Sequence, residues 1–286
     1  MAPRRVATAL SAVALLALAL AGCGGRGAES PIASPFRPQR AFGVFIGIAE
    51  YPLALPQVAG CDQDALKTWA GLGGSLPPWP RAETAAAQIR LLTSPPANRL
   101  AARAQGEPSR ERILQAVQDL AALMTPNDLF VFYFSGHADY DDQQGRAYLY
   151  TSGAHEDRIS DAELAAALSA VPLNPRAANV VLILDACQSG AFASIASMRP
   201  GIEVLASSAA TEDSVIRGDY STFTSALIQG LGGDFIGPAD ANGDRANTAG
   251  ELFAHARWAT QQMAADQHPV FRGPGPLREM ALKYQR

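Results

Sequence analysis

The sequence is poor in charge. Asp, Glu, Lys and Arg make up 17% of its 286 residues, and the formal net charge is −4. It has no basic run, no RNA-binding signature and no zinc-ligand spacing, so nothing in it points to a nucleic-acid partner. No internal repeat is present. Cysteine is scarce as well, with only Cys23, Cys61 and Cys187. What the chain has in quantity is apolar residues, 48% of the total. Low charge and high apolar content indicate a folded domain with a large core, not a disordered chain. The length permits two domains, but an α/β domain of this size is commonly one unit.

The first residues read as an export signal. "MAPRR" is a short basic segment, "VATALSAVALLALAL" an apolar one, and "LAGC" ends the run at Cys23. This order is that of a secretory signal, and the apolar run is short for a membrane-spanning helix. "LAGC" resembles the bacterial lipobox, which implies a signal peptide over 1–22 and lipidation of Cys23. The expected location is therefore the cell envelope, with the protein held to the membrane by its lipid. Gly24 is not the aspartate that retains enteric lipoproteins at the inner membrane, which favours the outer membrane in a Gram-negative source. Residues 23–40, rich in Gly, Ser and Pro, are expected to form a flexible tether. The folded domain is expected over 41–286.

Strands and helices alternate along the rest of the chain. Apolar segments at 41–51, 88–94, 128–137, 146–152, 179–186 and 202–209 read as strands. Helical periodicity or end signals mark 61–72, a helix opening at Ser109, and 160–171, 221–231 and 248–263. Ser160 with Glu163 and Thr248 with Glu251 have capping-box spacing. Several strands are apolar on both faces. The fold class expected is α/β, a mostly parallel central sheet flanked by helices. Ligands in such folds bind beyond the carboxyl ends of the strands. Two of those ends carry chemistry: "FVFYFSGH" delivers His137 and "LILDACQSG" delivers Cys187, with Gly190 expected to let the chain turn away.

A thiol becomes a nucleophile when an imidazole can take its proton. A histidine about 50 residues upstream of a Q-A-C-x-G-type segment is the caspase arrangement. With these two segments, and with "GVFIGIAEY", "GCDQDA", "VLASSAATEDS" and "ADANGDRANTAGEL", the chain resembles the caspase-like cysteine peptidases, most closely metacaspases and related bacterial proteins. The resemblance covers about residues 41–272. It implies a caspase-like α/β/α sandwich, with Cys187 as nucleophile and His137 as general base and acid. It also implies an oxyanion hole made by the backbone N–H groups of Cys187 and Ala138. The family usually reads Ser-Gly-His-Gly, whereas this chain has Ala138 after the histidine. Alanine keeps the N–H but would fit poorly at a positive φ.

Specificity is read from charge. Caspases cut after aspartate, using basic pocket residues. Here Asp185 stands two positions before Cys187, and the resemblance to metacaspases adds Asp64 and Ser135 to the pocket. Two carboxylates attract a guanidinium or ammonium, so the expected substrate is a peptide or protein cut after Arg or Lys. Asp64 reads equally well as a helix N-terminal acid, and Asp185 also reads as a strand-end acid capping a turn. No cofactor is required by this reading. Some metacaspases use calcium, and "DYDDQQ" (139–144) is acidic, but a solvated loop is the preferred reading because calcium needs six or more oxygens. "DANGDRANTAGE" (240–251) resembles an EF-hand loop without its glycine, and the capping box is preferred there too. Two alternatives stay open: a catalytically silent caspase-like scaffold or binding module, and a hydrolase or transferase of non-peptide acyl groups. A Cys61–Cys187 disulfide would favour the silent scaffold.

Overall fold

The structure, a computed structural model, describes residues 34–285 except 53–54, 74–75, 82–83, 96–105, 154–156, 274 and 276. The signal segment, Cys23 and most of the expected tether lie outside the described residues.

The frame is a six-stranded sheet. Its strands are β1 (Ala41–Ile48), β2 (Ile89–Ser94), β3 (Leu129–Ser135), β4 (Val180–Asp185), β5 (Ile202–Ala206) and β6 (Val270–Arg272). They are ordered β6-β5-β4-β3-β1-β2. All neighbours pair in parallel except β6, which runs antiparallel to β5. Among the described residues the sheet is covered by the helices α1 (Cys61–Gly73), α2 (Arg110–Ala121), α3 (Asp161–Leu168), α4 (Ser194–Met198), α5 (Thr222–Leu231) and α6 (Ala249–Met263).

The strands are apolar on both faces because both faces are covered. Phe42, Val44, Ile46, Phe130, Phe132, Phe134, Leu182 and Leu184 pack on one side against α2, α3 and α4. Phe45, Val131, Tyr133, Val181 and Ile183 pack on the other against α1, α5 and α6. The two-residue alternation of a strand divides one continuous apolar run between two cores. The expected α/β/α sandwich is the one observed.

Helix starts follow the capping signals. Ser109, Ser160, Ser221 and Thr248 are N-caps whose hydroxyls accept from the amide three residues on, and the Ser160–Glu163 and Thr248–Glu251 capping boxes are both complete. In the loop before α6, Asp240 accepts from the amides of Gly243, Asp244 and Arg245. Those oxygens hold the backbone turn in place.

Three features add to the expected picture. Residues from Ser34 onward belong to the compact unit. Phe36 bridges to Met280, and the Arg176 and Arg278 guanidiniums lie over its ring, so residues 34–40 are docked on the domain. The strand at Arg146–Tyr150 is outside the central sheet and forms an antiparallel meander with 138–141 and 158–160. The acidic run after His137 is therefore half strand. Asp139 accepts from the Tyr150 hydroxyl, and Asp141 holds the turn by accepting from the Gln143 and Gln144 amides.

Replacing Thr248 by Ala should cost about 1 kcal/mol, the usual worth of an N-cap. Urea unfolding checks this, and calcium should not restore the loss if Thr248–Glu251 is a cap and not a cation loop.

A candidate thiol–imidazole site and its acidic floor

Parallel pairing of β3 and β4 sets Ser135 beside Asp185. His137 and Cys187 each follow two residues later, so both emerge from the same edge of the sheet. They line one cleft of about 220 Å3, together with Cys61, Ser135, Asp185 and Ser221. No hydrogen bond joins the Cys187 thiol to the His137 ring.

The imidazole is held from β1's side. Its Nε2 lies 2.8 Å from the Pro56 carbonyl oxygen, and a carbonyl only accepts, so Nε2 carries the proton. In the neutral ring this leaves the Nδ1 lone pair as the base. The His137 amide donates to the Tyr51 hydroxyl at 2.7 Å, and the two rings lie 4.9 Å apart. A Cβ on Gly136 would stand 2.3 Å from that hydroxyl, so only glycine admits the contact.

The Cys187 loop is held by the segment after β5. The Ala186 amide donates to the Ser207 hydroxyl at 3.1 Å, and the Ser207 and Ser208 hydroxyls donate back to the Ala186 carbonyl at 3.2 and 3.1 Å. Gln188 has a φ of 55°. Its amide donates to the Glu212 carbonyl, and its side-chain oxygen accepts from the Tyr140 amide. Gly190 has another role than the turn expected of it: a Cβ there would meet the Ser208 carbonyl oxygen at 2.7 Å. Burial raises the Cys187 thiol above the ordinary thiol value, opposed by the Ser214 amide and reinforced by the Asp213 carboxylate. At rest the group is a thiol.

Neither a positive φ at Ala138 nor a Cys61–Cys187 disulfide is found. Ala138 is not among the residues at positive φ. It faces Leu149 across the meander, and the Tyr150 amide donates to the His137 carbonyl, so Ala138 is a non-hydrogen-bonded position whose N–H stays out of the ladder. Cys61 and Cys187 are both free thiols. Cys61 is buried, and burial pushes its thiol well up.

Asp64, Ser135 and Asp185 lie close together, with Ser135 and Asp185 in the lining of the cleft and Asp64 buried behind it. The Ser135 hydroxyl donates to Asp64 Oδ2 at 3.3 Å, and the Ser221 amide donates to the same oxygen at 3.4 Å. Asp185 is also a cap. Its Oδ2 accepts from the Ser221 hydroxyl and from the amide and hydroxyl of Thr224, at 3.0 and 2.6 Å for the latter pair. Its Oδ1 accepts from the Ser214 hydroxyl at 2.9 Å. Asp64 has no such support: its Oδ1 is buried without a partner. Burial, then the nearby Asp185 charge, push the Asp64 carboxyl up to about 8.

Sequence reasoning missed Tyr51, Pro56, Ser214 and Ser221 as members of the site. Only Ser221 carried a signal, as the first residue of a helix. No group of three or more His, Cys, Asp or Glu is gathered for a metal ion among the described residues.

The fold and cleft define a class: an open α/β sheet with a cysteine and a histidine on neighbouring strand ends. A family model of the caspase domain matches residues 40–273, and the chain belongs to that family of cysteine-type peptidases. A protein from Geobacter sulfurreducens is 15% identical, with a TM-score of 0.56, covering 86% of this chain and 100% of its own. Caspase-1 from Spodoptera frugiperda is 12% identical at the same TM-score, covering 86% of this chain and 91% of its own. At these identities the two structures establish the fold alone. No match was found among curated protein sequences.

Replacing Asp64 by Asn should stabilise the domain. A carboxyl raised from 3.8 to about 8 on folding costs stability progressively as pH climbs through that window. Urea unfolding should show little difference near pH 4 and a gain of about 2–4 kcal/mol near pH 8.

Proposed function

We propose that the protein is a caspase-like endopeptidase that cleaves after Arg or Lys, with Cys187 and His137 as its dyad. The observation that carries the basic preference is the acidic floor. Asp185 lines the cleft, Asp64 is buried behind that lining with one oxygen unpartnered, and among the described residues no Lys or Arg lines the cleft. A guanidinium or ammonium entering from the cleft supplies the missing donor and offsets the repulsion between the acids. Asp185, already held by four hydrogen bonds, acts through its charge. Ser135 and Ser221 line the wall above it.

The chemistry follows from the resting thiol. As Sγ attacks the substrate carbonyl carbon, its proton passes to His137 Nδ1, while Nε2–H stays on the Pro56 carbonyl. Negative charge on the carbonyl oxygen is taken by the Cys187 and Ala138 N–H groups, which no backbone carbonyl of the described residues occupies. The imidazolium then protonates the leaving amine as the C–N bond breaks, leaving a thioester. Water, deprotonated by the neutral imidazole, releases the acid and restores the thiol.

The location rests on sequence alone: the "LAGC" segment supports lipidation at Cys23 and tethering to the envelope. No helix of the described residues is long and apolar enough to cross a membrane.

The test uses reduced protein and peptides ending in Arg, Lys or Asp before a fluorophore. Arg and Lys peptides should be cleaved and Asp peptides left intact, and Cys187→Ala should abolish turnover. Asp64→Asn should lower kcat/KM for Arg by about tenfold or more, an effect on the order of one charge-assisted hydrogen bond. Because Asp64 must be ionised to pair with the basic side chain, kcat/KM on Arg peptides should rise as pH climbs through about 8. Cleavage after Asp in preference to Arg would overturn the acidic-pocket reading.

A further inference from the structure

A second hollow, about 500 Å3 in volume, opens at the carboxyl ends of β1 and β2, with Glu50, Tyr51, Gln57, Asp62 and Pro95 in its lining. Gln57 lines both this hollow and the Cys187 cleft and so forms the wall between them. That wall is fixed: the Gln57 side chain accepts from the Tyr51 amide and donates to the Tyr51 carbonyl, both at 3.0 Å. The sheet order β4-β3-β1-β2 then sets Cys187, His137, Tyr51 and Pro95 in succession along one edge. The imidazole stands between the thiol and the second hollow.

This order gives the hollow a direction. A leaving amine must lie within reach of the group that protonates it. The peptide segment after the scissile bond therefore departs past His137, toward Tyr51 and the hollow. The segment before the bond lies on the other side of Cys187, toward Ser214 and Ile216.

The hollow is acidic. Glu50 is exposed at its mouth, and Asp62 is 8% exposed. Asp62 Oδ2 accepts from the Gln63 side chain at 2.8 Å, while its Oδ1 takes no hydrogen bond from the described residues. No Lys or Arg lines the hollow among the described residues. A carboxylate nine-tenths buried that lines an open space, with one of its oxygens not engaged, is a receptor for a cationic side chain.

We propose that this hollow binds a lysine or arginine side chain within the first two residues after the scissile bond. The protein then reads positive charge on both sides of the bond it cuts, and its preferred sites are runs of basic residues. The proposal rests on the peptidase reading above.

The experiment uses the reduced protein and internally quenched peptides with Arg before the bond and Lys, Ala or Glu at each of the next two positions. Lys should exceed Ala by about five- to tenfold in kcat/KM, chiefly through KM, and Glu should fall below Ala. In Glu50→Gln and Asp62→Asn the Lys-to-Ala ratio should fall toward one, and in Glu50→Lys the order of Lys and Glu should reverse. Glu50 is a surface residue, so its two variants keep the test sound if Asp62→Asn does not fold. Cleavage after Arg that ignores the following residues overturns the hollow's role and leaves the peptidase reading standing. Cleavage of no peptide overturns both.

Discussion

The parallel register of β3 on β4 is the constraint on which the rest depends. It sets Ser135 level with Asp185, and two residues further on it brings out His137 and Cys187 at the same edge. A slip of one residue would send Phe130, Phe132 and Phe134 to the opposite layer and would separate the imidazole from the thiol's level. Both cores hold the register, because each face of these strands is packed against helices. The loops beyond the strands are then fixed individually, by Tyr51 and Pro56 on the histidine side and by Ser207 and Ser208 on the cysteine side.

The acidic floor shows how one sequence feature serves structure and chemistry together. Asp185 ends β4 and caps α5 through Ser221 and Thr224, so its charge is stabilised by a helix N-terminus. Asp64 lies within α1 and has only a serine hydroxyl and one amide, both on the same oxygen. Its burial is a cost that the fold bears. Sites kept at a cost to stability are commonly the ones that bind, and here the missing donor has the chemistry of a basic side chain. The expectation that Asp64 and Asp185 were either pocket acids or local structural acids was too sharp an alternative for Asp185, which caps a helix and lines the cleft.

Much of the fold was legible because its signals are local. Ser109, Ser160, Ser221 and Thr248 mark helix starts by the reach of a hydroxyl to an amide three residues away. The strands from 129 to 135 and 180 to 185 announce themselves as apolar runs that turn polar only at their last residues, Ser135 and Asp185. Less legible were the meander at 138–160 and the edge strand β6. Their residues carry mixed polarity, and their pairing is settled by neighbours far away in sequence. Phe36 is similar: in a Pro- and Ser-rich segment it reads as tether, and only Met280, Arg176 and Arg278 turn it into part of the domain.

By itself, the sequence determined the alternation of elements, the class of fold, and the two strand ends on which a cysteine and a histidine sit. Those follow from side-chain pattern and spacing, which act over a few residues. Tertiary structure decided which strands are neighbours, which imidazole nitrogen is tied to Pro56, which of two aspartates is left with an unpartnered oxygen, and that a second acidic hollow adjoins the cleft. Each of these depends on groups brought together across long stretches of chain, and only the packing of both helical layers on one sheet fixes their separation.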